Sequence, residues 1–120
     1  MFGFGKKKNN TKGPVEYGNE FRVAFENQDM QKMMIITEKW LKDCPRDANA
    51  NYAYGVVLGL LAIMGNLEKS EALKRMDLIA KGAPTLANDG DMVGLDIEKI
   101  MLDGFYEGLF ESCYRDVKNL

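Results

Sequence analysis

The chain has 120 residues, 46% of them hydrophobic and 28% charged, with a formal net charge of −2 at pH 7. This length suits one domain with its own core, and the composition is that of an ordinary soluble protein. Histidine is absent and there are two cysteines, which excludes Ser/His and Cys/His catalysis, HExxH zinc centres and Cys/His zinc sites. Carboxylate catalysis, a Mg²⁺ site or a lysine nucleophile remain open, but no cofactor or metal motif is present.

The N-terminal segment is rich in lysine and glycine and has no apolar run. Residues 1–13 are predicted to be a disordered basic tail, to which Lys6, Lys7 and Lys8 contribute most of the charge. The longest apolar run, near 56–64, is far shorter than the roughly 20 residues that cross a bilayer. Neither a signal peptide nor a membrane span is therefore predicted, and a cytoplasmic location is expected by default. Membrane contact through the tail and nucleic-acid binding are not expected.

Apolar residues recur at helical spacing through the remainder of the chain. Pro14 suits the first position of a helix, and Tyr17, Phe21 and Ala24 follow on one face. The third predicted helix is apolar on most sides, so we expect it to be central; its Gly55 and Gly59 indicate close approach by a neighbouring helix. The pattern predicts an all-α domain over 14–120, with six helices at 14–25, 30–44, 48–64, 68–80, about 87 or 89 to 103, and 106–118.

Several proline, glycine and alanine positions recur along the chain at a constant spacing of 39 residues. A fixed period of this size is typical of stacked helical hairpins, so the six helices are expected to form three antiparallel pairs. Stacked hairpins form surfaces that bind other chains. The repeated pairs are Pro45 with Pro84, Ala48 with Ala87, Gly55 with Gly94, and Gly65 with Gly104.

The middle unit resembles a tetratricopeptide repeat (TPR). The matching positions are Ala48, Gly55, Gly65-Asn66, Ala72 and Pro84. The unit is longer than the family's standard of about 34 residues, and Asn51 stands where the family has an aromatic. The resemblance covers about residues 14–118. It implies a TPR-like array, whose first helices line a concave groove that holds peptides or partner loops.

The resemblance also implies which residues would face that groove. The first unit would contribute Arg22, the second Asn49, Tyr52 and Val56, and the third Asp91, Leu95 and Glu98. Short amides such as that of Asn49 can hydrogen-bond to a peptide backbone. The alternative is that Tyr52 and Val56 belong to the core and the asparagines to turns.

Negative charge is concentrated at the end of the chain. Residues 86–120 carry eight acidic and three basic side chains. Asp103, Glu107 and Glu111 recur at helical spacing and would form one acidic stripe, unless Gly104 interrupts the helix. Such a stripe can attract a basic partner, or it can be a solvated face.

These observations favour a non-catalytic protein-binding module that binds one protein partner. Two versions are open, namely an adaptor or chaperone that holds an extended peptide, and a bacterial toxin-immunity-type inhibitor that masks a basic toxin domain. A small carboxylate enzyme using Asp103 and Glu107, or a structural subunit of a helical assembly, are the alternatives. Because a short array without polar end caps exposes an apolar edge, a homodimer is also possible.

Overall fold

The computed structural model describes residues 13–86 and 104–120. These two ranges contain five α-helices and no strand, which confirms the all-α prediction. The helices are α1 (Pro14–Glu26), α2 (Met30–Asp43), α3 (Ala48–Ile63), α4 (Lys69–Gly82) and α5 (Phe105–Lys118), and a 3₁₀ turn (Ala83–Thr85) follows α4. About six helices were predicted. The one expected to end at residue 103 lies outside the described residues, as do residues 1–12 of the predicted tail.

Local sequence explains where the helices begin and end. Pro14 opens α1, and the Asp29 carboxylate caps α2 by accepting a hydrogen bond from the Lys32 backbone N–H at 3.1 Å. The helix α2 ends just before Cys44-Pro45, since the residue before proline avoids the helical conformation. Short turns make α1/α2 and α3/α4 antiparallel neighbours.

The third helix is the centre of the fold. It packs against each of the other four described helices and most extensively against α5. Most of its residues are buried, on all sides of the helix. This agrees with the prediction of a central helix, because a helix that is apolar all round needs neighbours on every face.

Two glycines of α3 allow α5 to lie unusually close. A Cβ built on Gly55 would lie 2.4 Å from Cδ1 of Phe110, and one built on Gly59 would lie 3.0 Å from the Cβ of Cys113. Both contacts are with side chains of α5. The predicted close approach at Gly55 and Gly59 is therefore confirmed. The nearest atoms belong to α5, and α4 lies almost as close through Ile79 at 3.3 Å and Met76 at 3.1 Å.

An aromatic cluster joins the start of α5 to the first hairpin. The Tyr106 ring meets Trp40 edge-on at 5.5 Å between ring centroids, and it meets Phe21 at 5.8 Å. Its hydroxyl donates a hydrogen bond to the buried carbonyl of Gly18 in α1. Tyr106 thus fixes α5 against α1 and α2 at the same time.

A buried carboxylate connects α2 with the beginning of α3. The indole Nε1–H of Trp40 donates to Oδ2 of Asp47 at 2.8 Å, and Asp47 is fully buried immediately before α3. A hydrogen bond to a charged acceptor is stronger than a neutral one. It holds the α2–α3 corner beneath the aromatic cluster.

The close contact between α3 and α5 predicts opposite effects for two glycine-to-alanine changes. Gly55→Ala should lower the free energy of unfolding by about 1–3 kcal/mol, because the new methyl group overlaps the Phe110 ring. Gly108→Ala, a control within α5, should raise it by up to about 1 kcal/mol, because nothing lies within 4 Å of its Cβ position and alanine favours the helix. Urea unfolding followed by circular dichroism would measure both, and equal effects would contradict the packing described.

Tyr106 also predicts an alkaline loss of stability. Burial raises the pKa of its phenol above the ordinary 10.0, with Arg22 acting in the opposite direction and Asp47 in the same one. Above about pH 10 the unfolded chain loses this proton while the native chain retains it, so the free energy of unfolding falls as pH rises.

Tyr106→Phe should remove that part of the pH dependence. It should also cost about 0.5–1.5 kcal/mol at neutral pH, because one buried hydrogen bond to the Gly18 carbonyl is lost while that carbonyl keeps its donor within α1. Urea titrations at a series of pH values would test both effects. An unchanged alkaline slope would show that this phenol ionises normally in the native protein.

Candidate partner-binding surfaces

The face of α3 that was expected to line an open groove is covered by α5. The rings of Tyr52 and Phe110 are 5.5 Å apart between centroids. Val56 is 0% exposed, and Tyr52 and Asn49 are also buried. Tyr52 and Val56 thus belong to the core, and the part of the chain that the structure describes leaves no open peptide groove along this face. The 39-residue spacing indicated which face of α3 points inward. It did not indicate that the last helix of the chain packs on that face.

The other groove candidates do not gather at one described site. Arg22 lies on α1, where it forms an exposed ion pair of 3.8 Å with Glu26. Such a pair contributes little to stability. Three further candidates, Asp91, Leu95 and Glu98, lie outside the described residues.

Two of the three residues of the predicted acidic stripe stand together on α5. Glu107 and Glu111 are exposed and one helical turn apart, and we call this pair the acidic ridge. Gly104 has φ +87°, a left-handed conformation, and it caps the start of α5. The helix therefore does not extend back through Gly104, and Asp103 lies outside the described residues.

A cleft of about 300 Å³ lies beside the acidic ridge. Glu107 borders it on one side and the 3₁₀ turn that follows α4 on the other. We call it the Tyr52 cleft; its lining is Ala48, Asn49, Tyr52, Ala83, Pro84, Leu86, Gly104 and Glu107. The cleft combines an apolar wall with a phenol and the exposed carboxylate of Glu107, a combination suited to holding a basic side chain by its stem and its head group.

The charges of the acidic ridge act on the phenol of Tyr52 in the cleft. Burial raises the pKa of Tyr52, and the charges of Glu107 and Glu111 raise it further. Among residues 13–86 and 104–120, no lysine or arginine forms an ion pair with either glutamate. Within the described ranges the two glutamates thus have no direct ion-pair partner, although Arg115 follows Glu111 by one turn of α5.

Two apolar hollows lie elsewhere on the surface. One, of about 540 Å³, runs between α1 and α2 and includes Val23 and Ile35; we call it the hairpin groove. The other, of about 550 Å³, lies where the α1–α2 turn meets the end of α3. Its lining is Phe25, Glu26, Gln28, Met30, Met33, Leu60 and Met64. Of its methionines, Met64 is exposed whereas Met33 is buried, and an exposed methionine is an adaptable contact because its side chain is flexible and polarisable.

The described ranges contain neither a metal-binding cluster of side chains nor an exposed thiol. They contain no group of three or more Cys, Asp or Glu side chains placed to hold a metal ion. Cys44 and Cys113 are free and buried, and burial raises the pKa of the Cys113 thiol, which disfavours the reactive thiolate. No helix within these ranges combines the length and apolar character that a membrane span requires.

Comparison with protein-family models, with curated proteins and with solved structures gives no match to this chain.

The electrostatics of the acidic ridge can be measured directly. Glu107→Gln with Glu111→Gln should lower the pKa of Tyr52, because two nearby negative charges that oppose ionisation are removed. The exposed pair Glu38→Gln with Glu68→Gln is the control, since it changes the net charge equally. An NMR titration of the Tyr52 ring, assigned with Tyr52→Phe, would follow the shift; equal shifts in both variants would contradict a local effect.

Proposed function

We propose that this protein is a non-catalytic binding module that recognises one protein partner through the acidic ridge and the Tyr52 cleft. The observation that carries the proposal is the exposed pair Glu107 and Glu111, one turn apart and adjoining a cleft, with no ion-pair partner among the described residues. A partner whose charge complements the acidic ridge would present a basic segment. One lysine or arginine stem would enter the cleft beside Tyr52, and its head group would approach Glu107.

The charge distribution supports a role in rapid association. Eight of the chain's 18 acidic side chains fall within residues 86–120, against three of its 16 basic ones. A surface of one sign steers an oppositely charged protein and raises the association rate, and this effect weakens as salt rises. We therefore infer that the partner is a basic protein and that the complex is sensitive to salt.

Between the two versions of a binding module, the packing of α5 favours the dedicated inhibitor. An adaptor that holds extended peptides would need the face of α3 that α5 covers. To open it, Tyr106 and Phe110 would have to leave the core, and each buried aromatic side chain contributes roughly 1.5–3 kcal/mol. We propose a toxin-immunity-type inhibitor that acts in the cytoplasm and masks a basic toxin domain with its outer surface.

The test begins with capture of partners by the full chain from native cells at low and high salt. The partner recovered at low salt is then purified, and its association and dissociation rates are measured with the wild type and with Glu107→Gln/Glu111→Gln. We expect about tenfold weaker binding, mainly through slower association, because charge removal acts on the encounter rate.

The matched control is Glu38→Gln/Glu68→Gln, which changes the net charge equally on other surfaces and should bind nearly as the wild type does. Equal losses in both variants would indicate a general charge effect and would contradict a specific role of the acidic ridge. Recovery of many weakly bound peptides, with no basic protein among the partners, would overturn the inhibitor proposal.

A further inference from the structure

The hydroxyl group of Tyr52 has no hydrogen-bond partner among the described residues. The side chain is 7% exposed, and no hydrogen bond joins its oxygen to any residue of 13–86 or 104–120. The oxygen is not sealed inside the fold, because Tyr52 lines the cleft that bears its name. A phenol buried to this extent usually has a hydrogen-bond partner. We therefore expect the partner to come from a ligand that enters the cleft.

The packing of α3 and α5 fixes the position of this hydroxyl. The rings of Tyr52 and Phe110 are 5.5 Å apart between centroids and are tilted by 49°. Phe110 is itself held over Gly55, where a side chain would not fit. A polar group that is held in place before binding loses little conformational entropy when a ligand binds. The phenol is thus a preorganised contact.

Negative charge lies beside this hydroxyl. Glu107 lines the same cleft, and Glu111 follows one turn later on α5. Both glutamates are exposed and have no ion-pair partner among the described residues. Their charges raise the pKa of Tyr52, so carboxylates and phenol lie within electrostatic reach of one another. The cleft therefore offers two kinds of acceptor, a carboxylate and a neutral hydroxyl oxygen.

The size and lining of the cleft suit one long basic side chain. Its volume of about 300 Å³ is at the low end for ligand pockets. An apolar wall that includes Ala83, Pro84 and Leu86 can cover a methylene stem. A guanidinium group is planar and weakly hydrated, and its several N–H groups can donate to two fixed acceptors at once. The ammonium group of lysine is a compact, strongly hydrated point charge, which suits this pair of acceptors less well.

We propose that the Tyr52 cleft is an arginine subsite, in which one guanidinium nitrogen donates to the Glu107 carboxylate and another donates to the Tyr52 hydroxyl oxygen. Tyr52 is then the residue that distinguishes arginine from lysine, whereas Glu107 attracts either cation. This inference rests on the proposed function, since it names the side chain of the basic partner that enters the cleft.

Two small probes of equal charge test the preference without the partner. N-acetylarginine amide and N-acetyllysine amide are titrated separately into the full chain, and the backbone amide signals of Leu86 and Glu107 are followed by NMR. We expect the arginine probe to bind about fivefold more tightly, as one additional hydrogen bond allows. In Tyr52→Phe, which keeps the ring and loses the hydroxyl, the two affinities should become nearly equal.

The matched control is Tyr54→Phe, which removes the other tyrosine hydroxyl of α3. Tyr54 is two residues further along the helix and therefore on its other side, where its hydroxyl accepts a hydrogen bond from Arg75. The preference for arginine should remain in this variant. Glu107→Gln should weaken the binding of both probes at least about fivefold, because the carboxylate charge that they share is removed. Circular dichroism would confirm that each variant is folded.

Equal affinities in the wild type, or binding of neither probe, would overturn the inference. So would a preference that survives in Tyr52→Phe or is lost in Tyr54→Phe. A captured basic partner that needs the acidic ridge but binds Tyr52→Phe as well as the wild type would remove the arginine subsite and keep the proposed function. An arginine preference with no basic partner captured would do the reverse.

Discussion

The close packing of α5 on the glycine face of α3 is the contact on which the described structure depends. Without side chains at Gly55 and Gly59, the two helices approach until the Phe110 ring and the Cys113 Cβ occupy the space that larger residues would fill. Each glycine costs up to about 1 kcal/mol of helix propensity relative to alanine. The burial of Phe110 and Tyr106 offsets that cost, because both aromatic side chains are almost fully removed from water.

This packing also determines which surfaces of α5 remain available. With Tyr106, Phe110, Cys113 and Val117 buried, the opposite side of the helix carries the charged residues to the outside. Glu107 and Glu111 are exposed for the same reason that Phe110 is buried. The proposed binding surface is therefore a consequence of how the last helix docks, and it lies on the outside of the fold.

Much of the local structure could be predicted from the sequence, because local chemistry decides it. Asp29 as a cap and the helix end before Pro45 follow from positions close in the chain. Gly55 indicated that some helix would approach α3, but not which one. The packing of α5 on α3 could not be predicted from the sequence. Helical spacing shows which face of a helix is apolar, but not which distant part of the chain will cover that face. Asp47 was also missed; an acid before a helix suggests a cap, and only the fold shows that Trp40 donates to it. The TPR resemblance and the three-unit repeat stay predictions.

The position of Trp40 gives the molecule a built-in optical probe. Trp40 is the one tryptophan of the chain. Its ring stacks on Tyr17 and meets Tyr106 edge-on, and its indole N–H donates a hydrogen bond to Asp47. This single fluorophore of α2 is thus contacted by side chains of α1 and α5 and by the residue that precedes α3. Any event that lifts the last helix from the body would admit water to the indole and shift its emission to longer wavelength. The docking of α5 can consequently be followed in real time in the unlabelled protein, alone or while a partner binds.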